Sequence, residues 1–124
     1  MNRLQLFPKT VKIENDTLTI AGHSLAGLAE QYGTPYYAYD RATMDASAMD
    51  YKTALASLYP APASVTYAGK AYLGKAIAQW SQFHGLWVDC TGEGEIAIAT
   101  AGGVPREHIL VHGVNKSISD LKSA

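Results

Sequence analysis

Short apolar runs alternate with amphipathic stretches at a regular interval over the second half of the chain. The runs at 64–68, 86–90 and 108–112 start 22 residues apart. Between the runs, apolar residues recur every three or four positions, which predicts amphipathic helices. Strand–helix units repeated at this interval predict parallel strands joined by right-handed crossovers.

The first part of the chain carries shorter elements. Apolar residues at 11–13 and 18–20 predict two short strands around a turn. Ser24 is a predicted N-cap, and the apolar stripe after it predicts a helix that ends at Gly33. The aromatic run at 35–39 is bounded by turn residues and predicts a further strand. We therefore interpret this part as a β-α-β lead-in.

Together these elements predict an α/β fold in two parts. A longer amphipathic helix is expected between Asp40 and Pro60, and the repeated strand–helix units follow it. We assign residues 1–40 to the lead-in and residues 41–124 to the first three βα units of a (β/α)8 TIM barrel. An open doubly wound sheet is built from the same units. Because neither architecture is complete, we expect the chain to be a truncated N-terminal piece.

Composition and charge argue against several classes of protein. With 48% apolar and 17% charged residues, the chain is expected to pack a core. The net charge of −1, with both signs scattered, gives no reason to expect nucleic acid as a partner. The apolar stretches are too short to span a membrane, and the start lacks a secretion signal. We expect a cytoplasmic protein whose single cysteine, Cys90, packs as a small apolar residue.

Polar side chains follow each of the three regular predicted strands. Lys70 follows the first strand, where its amine can form an imine with a carbonyl cofactor if its neutral form is favoured. By position alone, a solvated lysine is the commoner interpretation. Asp89 ends the second strand and either holds the lysine or caps the next helix. His112 ends the third strand, and a structural histidine is the commoner case at such a position. The spacing of the histidines predicts no metal site.

Five short segments, in unbroken order, carry a resemblance to one protein family. They are residues 33–40 (GTPYYAYD), 67–71 (YAGKA), 89–95 (DCTGEGE), 104–109 (VPREHI) and 112–117 (HGVNKS). They resemble the alanine-racemase-like superfamily of group IV decarboxylases, and most closely the diaminopimelate decarboxylases. YAGKA is similar to that family's YAVKA motif, and HGVNKS to its HGNNKS turn.

The resemblance implies a fold, a cofactor and a reaction. It implies that Lys70 holds pyridoxal 5'-phosphate, that Asp89 lies beside it and binds the cofactor, and that Glu95, His112 and Asn115 lie near the site. The implied reaction converts meso-2,6-diaminopimelate to L-lysine and carbon dioxide, in lysine biosynthesis. The lead-in would belong to the family's second, β domain, and the whole protein would be a homodimer. The phosphate-binding glycines and the substrate's carboxylate ligands are expected outside this chain, which alone should have little or no turnover.

Departures from the family pattern leave alternatives open. Gly69 replaces a usual Val or Leu and is expected to loosen the lysine, Gly92 and Glu93 replace a Ser-Gly pair, and Val114 replaces an Asn. An ornithine- or arginine-type decarboxylase would keep the same lysine, as would an alanine racemase, whose motif fits poorly. A non-catalytic relative is a further alternative. A receiver-like domain would use Asp89 as phosphoacceptor but lacks the acidic pair that it needs.

Overall fold

The computed structural model describes residues 3–124 and divides into two compact units, Met1–Asp50 and Tyr51–Ala124. Its fold is α/β, as the sequence predicts. No helix among the described residues is both long and apolar enough to cross a lipid bilayer. The predicted division into 1–40 and 41–124 stays a prediction, since the two units are defined by packing alone.

The first unit contains a small antiparallel sheet and a helix. The sheet has the order β1-β2-β3, with Lys12–Glu14 as β1, Thr17–Ile20 as β2 and His23–Ser24 as β3. Asn15 and Asp16 turn the chain between β1 and β2 with φ angles of 49° and 56°, a conformation that these residue types tolerate.

The first helix, α1, is Leu25–Tyr32 and begins and ends as the sequence predicts. The Ser24 hydroxyl accepts a hydrogen bond from the Gly27 N–H at 3.2 Å, which satisfies one of the free donors at the start of the helix. Gly33 ends it with a φ angle of 81°, and its N–H donates to the Ala29 carbonyl.

The predicted strand at 35–39 is wrong. This segment belongs to neither of the two sheets, so the lead-in is β-β-β-α rather than β-α-β. Its tyrosines favour extended structure, but a strand also needs a neighbour for its backbone N–H and C=O groups. Aromatic composition predicts that preference and says nothing about whether such a neighbour is present.

The long helix α2, Arg41–Leu58, crosses the boundary between the two units. At its start the Met44 N–H donates to the Asp40 carbonyl at 3.0 Å, so the helix begins directly after Asp40, as the sequence predicts. It ends two residues before Pro60, as expected, because proline has no N–H and restricts the residue before it.

The second unit contains a parallel sheet with the order β4-β5-β6, which confirms the predicted parallel strands. Its strands are β4 (Thr66–Ala68), β5 (Trp87–Cys90) and β6 (Ile109–Val111), and its further helices are α3 (Lys75–Phe83), α4 (Glu93–Ala101) and α5 (Ile118–Ser123). Each strand is one or two residues shorter than its apolar run predicts.

The core of the second unit lies on one face of this sheet. Val88 and Cys90 point to that face and are fully buried, while Tyr67 packs edge-on against Trp80 of α3 with ring centroids 6.0 Å apart. Helices α3 and α4 approach closely because Gly102 has no side chain. A Cβ atom there would lie 2.3 Å from the Cβ of Ala78.

The opposite face of the sheet carries the polar residues. Because side chains alternate along a strand, Trp87 and Asp89 point to this face, and strand pairing puts Ala68 and Leu110 on either side of Asp89. The Trp87 ring stacks on His108 with centroids 5.4 Å apart. Leu110 is 40% exposed, so this face is less covered than the one that packs on the helices.

Candidate functional site

The candidate site lies where the three parallel strands end. Lys70 belongs to a short 3-10 turn, Gly69–Ala71, directly after β4, and its side chain is exposed. Ala68, the last residue of β4, pairs with Asp89 of β5. The fold therefore brings the lysine turn and the aspartate to neighbouring strand ends, which is where parallel α/β folds place reactive groups.

Gly69 lets the lysine turn approach β5 closely. It is buried, and a Cβ atom at this position would lie 2.3 Å from the backbone oxygen of Asp89. A side chain here would require the backbone to shift. The missing side chain thus permits a closer contact between the turn and the strand, while the expectation that Gly69 loosens the lysine stays a prediction.

Asp89 has one carboxylate oxygen that lacks a donor within the part of the chain that the structure describes. Its side chain is 17% exposed, and Oδ2 lies 3.7 Å from Nδ1 of His112. Oδ1 is buried and has no hydrogen-bond partner among the described residues. An unsatisfied buried carboxylate oxygen is costly, so this position is suited to a cationic or N–H donor that comes from outside the protein or from a mobile side chain.

The other predicted site residues follow the ends of β5 and β6 along the chain. Glu95, in the first turn of α4, accepts hydrogen bonds from the Thr91 N–H at 2.6 Å and the Thr91 hydroxyl at 2.9 Å. Asn115 is exposed in the turn after β6 and has a φ angle of 54°. Glu95 at the start of α4 and Asn115 in the turn after β6 both flank the strand ends, and their roles towards a cofactor stay predictions.

Sequence reasoning missed two charged residues that join the loop after β5 to the turn after β6. Lys116 donates to one backbone carbonyl in the loop after β5 and to another in the turn after β6. Asp120 accepts hydrogen bonds from one backbone N–H after β5 and from another after β6. Lys116 stands within the HGVNKS segment, so its position was visible in the sequence. Its contact with the preceding strand–helix loop depends on the tertiary fold.

Cys90 lies beneath this site and is protected from solvent. Burial raises the pKa of its thiol from 9.0 to about 11, and the negative charges of Glu95 and Asp89 add to the shift. The thiol is therefore neutral and unreactive near neutral pH, as the sequence suggests for a packing residue.

A separate cavity lies in the first unit, and sequence reasoning missed it as well. It has a volume of about 820 Å³, and its lining includes Tyr32, Tyr36, Tyr37 and Tyr39. The Tyr36 hydroxyl donates to the Leu25 carbonyl at 2.9 Å. Three of these tyrosines come from the segment at 35–39, whose clustered aromatic residues were the available signal. None of the predicted cofactor residues lines this cavity.

Nothing in the described part of the chain gathers three or more His, Cys, Asp or Glu side chains into an arrangement that could hold a metal ion.

Comparison with known proteins gives consistent matches. The family model for the pyridoxal-binding domain of pyridoxal-dependent decarboxylases matches residues 41–124. The diaminopimelate decarboxylase of Corynebacterium efficiens is 40% identical over 113 residues, which are 91% of this chain and 24% of the relative. That of Bacillus subtilis is 41% identical over 107 residues, 86% of this chain and 24% of the relative.

A solved structure is similar as well. A crystal structure of diaminopimelate decarboxylase from M. jannaschii has a TM-score of 0.83 and 26% identity, and the match covers 92% of this chain and 27% of that one. The same enzyme in complex with L-lysine has a TM-score of 0.79, also at 26% identity, over 93% of this chain and 28% of that one. The chain thus spans about a quarter of the length of the proteins that it matches.

Proposed function

Because the chain belongs to the family of pyridoxal-dependent decarboxylases, through their pyridoxal-binding domain, we propose that it supplies the cofactor-holding lysine of a diaminopimelate decarboxylase. The observation that carries the proposal is the placement of Lys70. Its amine follows β4 at the strand ends, and the turn that holds it packs on the backbone of Asp89, whose buried Oδ1 has no donor among the described residues.

We propose that the parallel sheet is the start of a TIM barrel. Three strands in the order β4-β5-β6, each followed by a helix, are the repeating unit of that fold. In this arrangement the face with Trp87, Asp89 and Leu110 would point into the barrel. The residues before α2 would belong to the family's β domain, as the resemblance implies.

The described side chains fit pyridoxal phosphate in two respects. Lys70 has an exposed primary amine that would attach the cofactor's aldehyde, and Asp89, at the neighbouring strand end, has a carboxylate oxygen without a donor among the described residues. When bound, the cofactor supplies an electron-accepting ring that takes up the electron pair left by departing carbon dioxide. His112, 3.7 Å from Asp89, would hold the carboxylate in place from the other side.

We propose meso-2,6-diaminopimelate as the substrate, with L-lysine and carbon dioxide as products. The names of the relatives and the L-lysine complex of a similar structure support this choice over ornithine and arginine. It is tested by measuring carbon dioxide release by the full product of the gene. Release from diaminopimelate well above that from ornithine or arginine is expected. Preference for ornithine would overturn the substrate and leave the cofactor proposal standing.

The cofactor proposal is tested on the 124-residue chain. Incubation with pyridoxal phosphate, reduction with borohydride and peptide mass spectrometry should locate the pyridoxyl group on Lys70. Lys70→Ala should remove the adduct. Lys75→Ala, which changes an exposed lysine at the start of α3, should keep it and is the matched control. Modification spread over many lysines, or unaffected by Lys70→Ala, would overturn the assignment.

Three further properties belong to the same proposal. The whole protein is expected to be a homodimer in the cytoplasm. The chain of 124 residues should release little carbon dioxide, because Lys70 is exposed and His112 is 74% exposed, so that water reaches both of these side chains. A clear rate of carbon dioxide release from the purified chain would contradict this last expectation.

A further inference from the structure

The turn after β6 folds back on itself around the ammonium group of Lys116. Gly113, with a φ angle of 115°, and Asn115, with a φ angle of 54°, reverse the chain. The Lys116 Nζ then donates to the His112 carbonyl at 2.5 Å. A Cβ atom at Gly113 would lie 2.8 Å from that nitrogen, so glycine leaves room for the side chain.

The same ammonium group reaches the neighbouring loop. Lys116 Nζ donates to the Thr91 carbonyl at 2.6 Å, and Thr91 is the first residue after β5. His112 is the first residue after β6, and its N–H donates to the Cys90 carbonyl at 2.9 Å. One half-buried side chain therefore binds the first carbonyl beyond each of two adjacent parallel strands.

A carboxylate makes a second connection between the same loops. Asp120 accepts hydrogen bonds from the Glu93 N–H at 2.9 Å and the Ser117 N–H at 2.9 Å, so it binds the backbone at the start of both α4 and α5. The Ser117 hydroxyl and the two backbone N–H groups hold the pKa of Asp120 down to about 2, which keeps it negative near the Lys116 ammonium.

We propose that Lys116 is a positioning residue that locks the loop after β5 to the turn after β6 and so holds His112 beside Asp89. The meaning of this lock for catalysis rests on the proposed function, whereas the lock itself does not. A lysine suits the task because its three N–H donors diverge from one point, and two of them meet carbonyls of different loops. The planar guanidinium of an arginine presents its donors in a fixed fork and would not reproduce both contacts.

The lock is tested by hydrogen exchange at the His112 amide, which needs no cofactor. In Lys116→Met this amide should exchange about tenfold faster or more. Without the lysine the turn that carries His112 is no longer fixed, so the hydrogen bond from His112 to the Cys90 carbonyl opens more often. Lys122→Met changes an exposed lysine on α5 and should leave the exchange unchanged. The amide of Leu86, which donates to the Ser81 carbonyl, reports whether the sheet and α3 remain folded.

Chemical rescue separates the lock from a general loss of structure. Lys116→Cys treated with 2-bromoethylamine regains an ammonium group at nearly the length of lysine and should recover the protection of His112. The same variant treated with iodoacetamide gains a neutral amide and should not. Cys90 is fully buried, so it should stay unmodified in the folded protein.

A second measurement connects the lock to the site. The time course of borohydride-trapped pyridoxal on Lys70 should be slower in Lys116→Met and recover in the ammonium-bearing adduct. If the unaltered chain traps no cofactor, the proposed function fails while hydrogen exchange still decides the lock. Equal His112 exchange in the unaltered chain and Lys116→Met overturns the lock. Equal recovery of His112 protection after treating Lys116→Cys with either alkylating reagent also overturns the lock. This conclusion holds even if the Leu86 amide of Lys116→Met loses its protection as well.

Discussion

At the scale of single residues, Gly69 departs from the family motif, and the structure gives it a steric role that the motif does not show. From the sequence, the missing Val or Leu side chain suggested a looser lysine. In the structure, its absence lets the turn reach the Asp89 carbonyl. Backbone contact between neighbouring strand ends depends on how strands pair, which a one-dimensional motif does not contain.

Gly69→Ala should therefore destabilise the second unit. The added Cβ would overlap the Asp89 backbone oxygen, and relieving such an overlap costs about 1–3 kcal/mol. Urea unfolding followed by the fluorescence of Trp80 and Trp87 measures the effect. Gly94→Ala is the matched control, since its Cβ would meet no atom within 4 Å. Equal free energies of unfolding for Gly69→Ala and the unaltered chain would refute the close contact.

Cys90 should make stability fall at alkaline pH. The pKa of its thiol is about 11 in the folded chain against 9.0 for an exposed thiol, so the unfolded state ionises first. The contribution of the neutral thiol to the free energy of unfolding is complete below pH 9 and is lost as pH rises through 11. Over this range the free energy of unfolding falls by up to ~1.4 kcal/mol per pH unit.

Comparison with Cys90→Ala isolates this contribution. Both proteins are identical except at residue 90, so the urea midpoint of the unaltered chain should fall more steeply with pH than that of the variant. Cavity formation lowers the variant's stability at every pH and leaves the comparison of slopes intact. Parallel pH profiles would contradict the raised pKa.

At the scale of elements, the contact between α3 and α4 depends on one glycine. Gly102→Ala should cost about 1–3 kcal/mol of unfolding free energy, because its Cβ would lie 2.3 Å from that of Ala78. Unfolding of the double variant Ala78→Gly/Gly102→Ala provides the control. Removing the opposing methyl group should recover part of the loss, and strictly additive losses would argue against a direct clash.

Elements with local signals were predicted well, and one that needs a partner was not. Ser24 and Gly33 fix the ends of α1 through contacts within a few residues, so both ends are readable from the chain. The segment at 35–39 has the composition of a strand but no place in either sheet. Strand formation depends on a distant neighbour, which composition does not report.

At the scale of the whole molecule, binding of pyridoxal phosphate should raise the thermal stability of the chain. A ligand that binds only the folded state stabilises it by about 2.7 kcal/mol at a hundredfold excess over its dissociation constant. Lys70→Ala should lose most of this effect. Pyridoxine 5'-phosphate, which lacks the aldehyde, should stabilise the unaltered chain much less. An equal shift of the unfolding temperature in Lys70→Ala would show that the ligand binds elsewhere.

The sequence alone determined the α/β class, the parallel strands, the helix ends, and Lys70, Asp89 and His112 as residues at strand ends, because periodicity, caps and motifs are local properties of the chain. Only the tertiary structure decided which of them touch. The approach of Gly69 to Asp89 and the two loops joined by Lys116 follow from strand pairing between residues 21 positions apart. The same pairing places Asp89 Oδ1, which has no partner among the described residues. Such contacts depend on register and loop geometry, and these are set when distant segments pack together.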